Sequence, residues 1–499
     1  MDERFEELKC RLAEVTDLGR TMRLVAWDQQ VMMPRTGAPA RAEQLATLRG
    51  IIHERFTDDR IGELLEELRP YEASLPADSD EASIVRVVRR DYEKARRVPT
   101  ELAAELARAA SQGHEVWIEA RAESDYTRFM PVLERNLELK HRYIDCFEPA
   151  DEPYDVLLDD YERDAKTEDV RRVFARLKEA QVPLIASVRG RAAATDGFRG
   201  SGPFGVEQQK AVVRTVLDRF GFDERSWRLD LTLHPFATNT SPTDIRITTR
   251  YSEDSLTGLF AAMHEFGHGL YEHGSAAPLD RTPLCGGVSL GLHESQSRLW
   301  ENLVGRSQGF WRYFYPELRQ AFPEMLGEVS PEGFWRAVNQ VTPSLIRVEA
   351  DEVTYNLHVI LRFELEQEML SGSVALADLP EAWNTRMEEY LGVDVPDDAH
   401  GVLQDVHWSG GIIGYFPTYT LGNVMSVQIW ETAAEELPEL ETQIEAGDFG
   451  SLREWLRDRL HQHGRKFSPS ETLERVTGSP INPEPYIAYL QEKVAAVYG

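Results

Sequence analysis

Lysine is almost missing from this chain of 499 residues. Eight of its 55 basic residues are lysine, and the other 47 are arginine. Set against 85 acidic residues, they leave a net charge of -30. No basic stripe exists to neutralise phosphates, which excludes nucleic acid as a partner. An acidic, lysine-poor surface suits high salt, where self-repulsion is screened, as in halophilic proteins. The plainer alternative is an acidic cytosolic protein. Cysteine is also scarce: Cys10, Cys146 and Cys285 lie far apart and form no paired metal motif. No run of about 18 apolar residues occurs, so no membrane-spanning helix is expected. The opening Met1-Asp2-Glu3-Arg4-Phe5-Glu6 is charged and lacks the apolar core of a secretory signal. Together these absences imply a soluble, reducing, cytoplasmic setting.

Internal repeats and low-complexity tracts are absent as well. Most of residues 1–225 carries amphipathic helix patterns, at Arg4–Leu18, Arg41–Leu68, Glu81–Arg97, Glu101–Ser124 and Thr127–Cys146. Pro and Gly punctuate at Pro34–Pro39, Pro70–Pro76 and Gly197–Gly205. Period-two alternation, the mark of strands, appears only at Trp227–Leu233 and Asp244–Tyr251. A small sheet just before the next helix has an edge that an extended peptide can pair with.

That next helix carries His264-Glu265-Phe266-Gly267-His268. Positions four apart lie on one helix face, so His264 and His268 can bind one ion through ring nitrogens, each at about 2.0–2.1 Å. Glu265, about 100° around the helix, can reach a metal-activated water without occupying a coordination position. Ser252 reads as the N-cap and Gly274 as the stop. A catalytic zinc needs a third protein ligand and one open position. The metzincin pattern would place glycine at 271 and histidine at 274, but the chain has Tyr271 and Gly274. Glu272 lies two turns from His264, about 12 Å along the axis, too far to share an ion. Glu294 remains, on a second helix read from Ser289 to Val304. Its neighbour His293 points elsewhere and reads as supporting rather than ligating.

The zinc string and His293-Glu294-Ser295-Gln296 resemble the thermostable carboxypeptidase Taq family of metallocarboxypeptidases. Further blocks are similar: Asp244-Ile245-Arg246-Ile247-Thr248, Ile346-Arg347-Val348-Glu349-Ala350-Asp351, and Gly401-Val402-Leu403-Gln404-Asp405-Val406-His407-Trp408. So are His234-Pro235-Phe236, Gly414 to Tyr419, Trp27-Asp28 and Ile481-Asn482-Pro483. The resemblance runs from about residue 20 to the C-terminus. It implies a mostly α fold of two lobes flanking a deep cleft, with the small β-sheet beside the zinc helix. It implies one domain over 1–499, with a helical part at 1–225 and the zinc site and cleft at 226–499. It also implies a homodimer, zinc or cobalt as the metal, and release of single residues from peptides with a free C-terminus.

An exopeptidase must grip a terminal carboxylate, and the arginine fork suits that geometry. Arg347 is the first candidate, on a helix expected from Leu345 to His358; its alternative is an internal ion pair with Asp351 at i+4. His407, Tyr415 and Tyr419 can donate to the tetrahedral oxyanion, or simply pack in the core. Asp244, Asp351 and Asp405 are unranked candidates for fixing the histidine ligands. Arg246 reads as structural, a strand residue that orients the zinc helix. Two other readings stay open: a zinc endo-oligopeptidase of the thimet type, and a helical scaffold with a vestigial metal site.

Overall fold

A computed structural model describes residues 2–499. The described residues are mostly helical, with one three-stranded sheet. It folds as two compact units, each assembled from three separated stretches. The first comprises Met1–Arg96, Thr195–Val338 and Ser426–Pro480; the second comprises Arg97–Ala194, Asn339–Met425 and Ile481–Gly499. Neither follows the division of the sequence near residue 225. Among the described residues, no helix is long and apolar enough to cross a membrane.

In the first unit the N-terminal helix runs Glu3–Val31, well past the expected end at Leu18. Asp2 caps it, accepting from the Arg4 amide at 2.8 Å. The pattern at 41–68 divides into helices Ala38–Phe56 and Asp59–Glu67. The break falls at Asp58, whose carboxylate accepts from the Arg60 amide at 2.9 Å and starts the second helix.

Strands β1 (Trp227–Leu231), β2 (Ala237–Ser241) and β3 (Asp244–Thr249) are ordered β1-β3-β2. β1 runs parallel to β3 with Trp227 opposite Ile245, and β2 is antiparallel to β3. β2 was not legible as a strand, because Ala237-Thr-Asn-Thr-Ser241 has no apolar alternation. Ile245 and Ile247 are fully buried.

The metal-site helix spans Thr257–His273. It begins later than Ser252 because the Ser252 hydroxyl accepts from the Asp254 amide at 3.2 Å, closing a local turn. Behind it Phe220, Phe266, Trp300 and Phe449 form an aromatic core, with Phe220 to Trp300 centroids 4.6 Å apart and Phe220 to Phe449 4.7 Å. Gly267 is required by packing. A β-carbon there would sit 2.4 Å from the Gln296 carbonyl oxygen and 2.7 Å from the Ser297 α-carbon. The helix that returns along this face, Leu290–Arg298, can therefore approach backbone to backbone. Ser289 caps it, accepting from the Leu292 amide at 3.1 Å. It continues as a π turn, Leu299–Val304.

In the second unit the helix expected at 345–358 is absent as such. Arg347–Glu349 is a single 3₁₀ turn, and the helix starts at Tyr355 and ends at Ser371. Asp351 causes the break. Its carboxylate accepts from the Val353 amide at 2.9 Å, the Thr354 amide at 3.1 Å and the Thr354 hydroxyl at 2.9 Å. A carboxylate satisfied by the next turn starts a helix rather than lying within one.

Candidate active site

The metal-site helix and its return partner bring His264, His268 and Glu294 together. Candidate ligand atoms of the three lie within 4.8 Å of one another. Nε2 of His264 is 3.6 Å from Glu294 Oε2, and Nε2 of His268 is 3.4 Å from the same oxygen. Donors bound tetrahedrally at about 2.0–2.1 Å stand about 3.3 Å apart, so this donor set fits a divalent ion.

Each imidazole is held from its far side. His264 Nδ1 is 2.9 Å from Glu301 Oε2, a carboxylate placed by the π turn. Such turns recur where a side chain must be re-aimed at a site. His268 Nδ1 is 2.6 Å from His293 Nδ1, and His293 Nε2 is 2.9 Å from Glu272 Oε1. One tautomer set satisfies the chain: His268 donates to His293, His293 donates to Glu272, and both Nε2 lone pairs of the pair His264–His268 stay available. Asn239 Nδ2, at 2.9 Å, and the Gly287 amide, at 3.2 Å, also donate to Glu272. Glu294 accepts from Arg298 Nε at 2.7 Å and from the Ser297 hydroxyl at 3.0 Å.

The charges agree with these bonds. Burial opposes ionisation of Glu294, but Arg298, His264 and His268 hold its carboxyl well below the usual range. Burial likewise works against Glu272 and Glu301, yet their histidine partners and, for Glu301, Arg298 bring both down to about 2. Burial pulls His268 down to about 4, which keeps it neutral and able to ligate. Glu265 behaves in the opposite way. It is 6% exposed, and burial pushes its carboxyl up to about 7; His264 and Arg298 oppose the shift, Glu294 and Glu301 add to it. A cation at the triad would pull it down again.

None of the aspartates proposed to fix the histidines does so. Asp244 binds Arg246 through two bonds of 2.9 Å and accepts from Thr240 at 2.6 Å. Arg246 in turn stacks over Trp27 at 4.5 Å, beside Arg228 at 4.6 Å, so the strand pair clamps the N-terminal helix rather than orienting the metal-site helix. Asp351 caps its own turn. Asp405 serves two arginines. Glu301 and the His293–Glu272 pair take the orienting role, and sequence reasoning missed Glu301. Its one signal was its place seven residues after Glu294, two turns along the same face. Tyr271 is a core residue, fully buried against His293 and His461.

The second unit gathers Arg347, Asp405, His407, Tyr415 and Tyr419. Arg347 is 5% exposed. Its ion-pair partner is Asp405, not Asp351: Nη2 and Nε donate to Asp405 Oδ1 at 2.8 and 3.1 Å. Nη1 donates to the Tyr355 hydroxyl at 2.9 Å, and the guanidinium lies 4.9 Å from the Tyr419 ring. Arg362, also unforeseen, donates through Nε to the other Asp405 oxygen at 2.7 Å. Despite burial, the two guanidinium groups hold the Asp405 carboxyl far below its usual range. His407 rings contact Tyr415 at 5.4 Å and Tyr419 at 6.5 Å. Burial takes His407 down to about 4, against Asp405 and with help from both arginines. Two guanidinium groups on one carboxylate, beside a neutral imidazole, leave one positive charge in excess.

Two imidazoles and a carboxylate converging on one point, with a buried acid beside them on two packed helices, define a metal-dependent hydrolase. A sequence model of the carboxypeptidase Taq (M32) metallopeptidases matches residues 7–494. The thermostable carboxypeptidase 1 of Thermus thermophilus is 45% identical over 95% of each chain, and carboxypeptidase 1 of Bacillus subtilis is 37% identical over 98% of this chain and 97% of its own. The crystal structure of the M32 carboxypeptidase from Deinococcus radiodurans superposes with a TM-score of 0.95, at 42% identity over all of both chains. The chain belongs to the carboxypeptidase Taq family and is a metallocarboxypeptidase.

Glu301 yields a direct prediction. Glu301→Gln replaces the anionic acceptor of His264 Nδ1 and should weaken metal binding about 10–100-fold. Titration against a metal buffer measures this; an unchanged affinity would remove Glu301 from the site.

Proposed function

We propose that His264 and His268, through Nε2, and Glu294 hold zinc, with cobalt as a workable substitute, and that Glu265 is the general base. The observation carrying this reading is the outer hydrogen bonding: each imidazole has a partner on Nδ1 and none of the outer groups competes for Nε2. When bound, the ion supplies a Lewis acid and an acidified water. Glu265 takes the proton of the attacking water at its carboxylate and passes it to the leaving amine nitrogen. Burial raises the Glu265 carboxyl, which strengthens it as a proton acceptor against the lowering pull of a bound ion.

Arg347 takes the terminal carboxylate of the peptide in this reading, and His407, Tyr415 and Tyr419 supply the neighbouring donors. The excess positive charge of Arg347 and Arg362 over Asp405 supports it. Cys10, Cys146 and Cys285 are free thiols, which accords with a reducing compartment.

The test is product mapping joined to metal analysis. Purified enzyme should carry about one zinc per chain. A peptide of known sequence should shorten one residue at a time from its C-terminus. Internal fragments early in the time course would instead favour the endo-oligopeptidase, and stoichiometric metal without hydrolysis would leave the vestigial site.

A further inference from the structure

Helix Tyr355–Ser371 is buried along most of its length, from Tyr355 to Phe363 on every side, yet it carries a polar stripe. Tyr355, Arg362 and Glu366 are spaced by seven and eleven residues, which brings them within about 20° of one face, with His358 about 60° away. The last three are fully buried and Tyr355 is 6% exposed, among Leu357, Val359, Ile360, Leu361, Phe363 and Leu365. Each of the three on the common face binds a part of the carboxylate-binding group. Tyr355 accepts from Arg347, and Arg362 donates to Asp405. Glu366 reaches the chain that follows Asp405. Its Oε1 accepts from the Trp408 indole at 2.8 Å; its Oε2 accepts from the Gly414 amide at 3.0 Å and from the Tyr154 hydroxyl at 2.6 Å.

Trp408 follows His407, and Gly414 precedes Tyr415. One carboxylate therefore ties both ends of the segment between the imidazole and the phenol. Only glycine fits at 414. Its φ is +91°, and a β-carbon would lie 2.8 Å from the Leu157 carbonyl, so the close approach that presents this amide to Glu366 has no room for a side chain. A buried carboxylate is costly even with three donors, and an apolar side chain would fill the same space. An apolar residue could not fix the direction of two N–H groups.

We propose that Glu366 is a positioning residue for recognition of the peptide's terminal carboxylate, setting His407 and Tyr415 against Arg347 through Trp408 and Gly414. This rests on the reading of Arg347 given above. Glu366→Gln keeps one acceptor oxygen but sets an amide N–H against one of its donors; Trp408→Phe removes the same tie from the other end. The experiment uses the metal-loaded enzyme and acetyl-tetraalanine, as the free acid and as its carboxamide, with kcat and KM measured for both.

Both variants should lower the preference for the free acid about tenfold, through KM, with metal content unchanged. If both substrates lose rate in equal proportion, Glu366 is structural and the proposal fails. If Glu366→Gln does not fold, Trp408→Phe alone decides. Arg347→Ala runs alongside. No loss of free-acid preference in Arg347→Ala would overturn the carboxylate reading and this proposal with it. A loss in Arg347→Ala, with none in the other two, overturns only the role of Glu366.

Discussion

Glu265→Gln should remove nearly all hydrolysis while the metal stays bound. The amide is close in size to the carboxyl and does not touch the ligand set, so zinc content should match that of the unaltered enzyme. What it removes is a proton acceptor, an effect worth roughly 10²–10⁴-fold in kcat/KM. Activity retained within about threefold would exclude Glu265 as the base. The pH profile adds a sign. A base must be ionised, so rate is lost as pH falls through its pKa. Burial sets Glu265 at about 7, and the bound cation lowers it. The acid limb of kcat/KM should therefore lie below pH 7 in the zinc enzyme, and the residual activity of Glu265→Gln should lack that limb.

Arg347→Ala should cost about 10²-fold in kcat/KM on peptides with a free C-terminus and far less on their carboxamides. The variant leaves Asp405 paired with Arg362 at 2.6 Å, so the buried carboxylate keeps a counter-ion. It still removes a buried cation with three side-chain hydrogen bonds, and stability should fall by about 2–4 kcal/mol. Thermal unfolding separates the two effects. Arg347→Lys should recover part of the charge but not the two-point contact with Asp405. Equal loss on free and amidated peptides would make Arg347 purely structural.

Some of this was written locally in the chain. A helix repeats every ~3.6 residues wherever it occurs, so the spacing of four between His264 and His268 fixes a shared face before any packing is known. The same holds for Asp244 and Arg246, two apart on one strand and joined side by side. Local chemistry also misled. Ser252 has the residue type of a cap but spends its oxygen two residues on, at Asp254. Arg347 and Asp351 have the spacing of a helical ion pair, but Asp351 ends the possibility of a helix between them by binding the turn ahead of it.

The sequence by itself determined the chemistry of the metal site: two imidazoles and an acid on one helix, and a second acid 26 residues on. The arginine proposed to take the terminal carboxylate also lies in a block legible in the sequence. Only the tertiary structure decided who holds whom. His264 is oriented from 37 positions away by Glu301, His268 from 25 away by His293, and Arg347 from 58 away by Asp405. The physical reason is that a ligand face depends on helical period, a property of neighbours in sequence. The direction of a buried polar atom depends on which distant partner packing brings within about 3 Å of it.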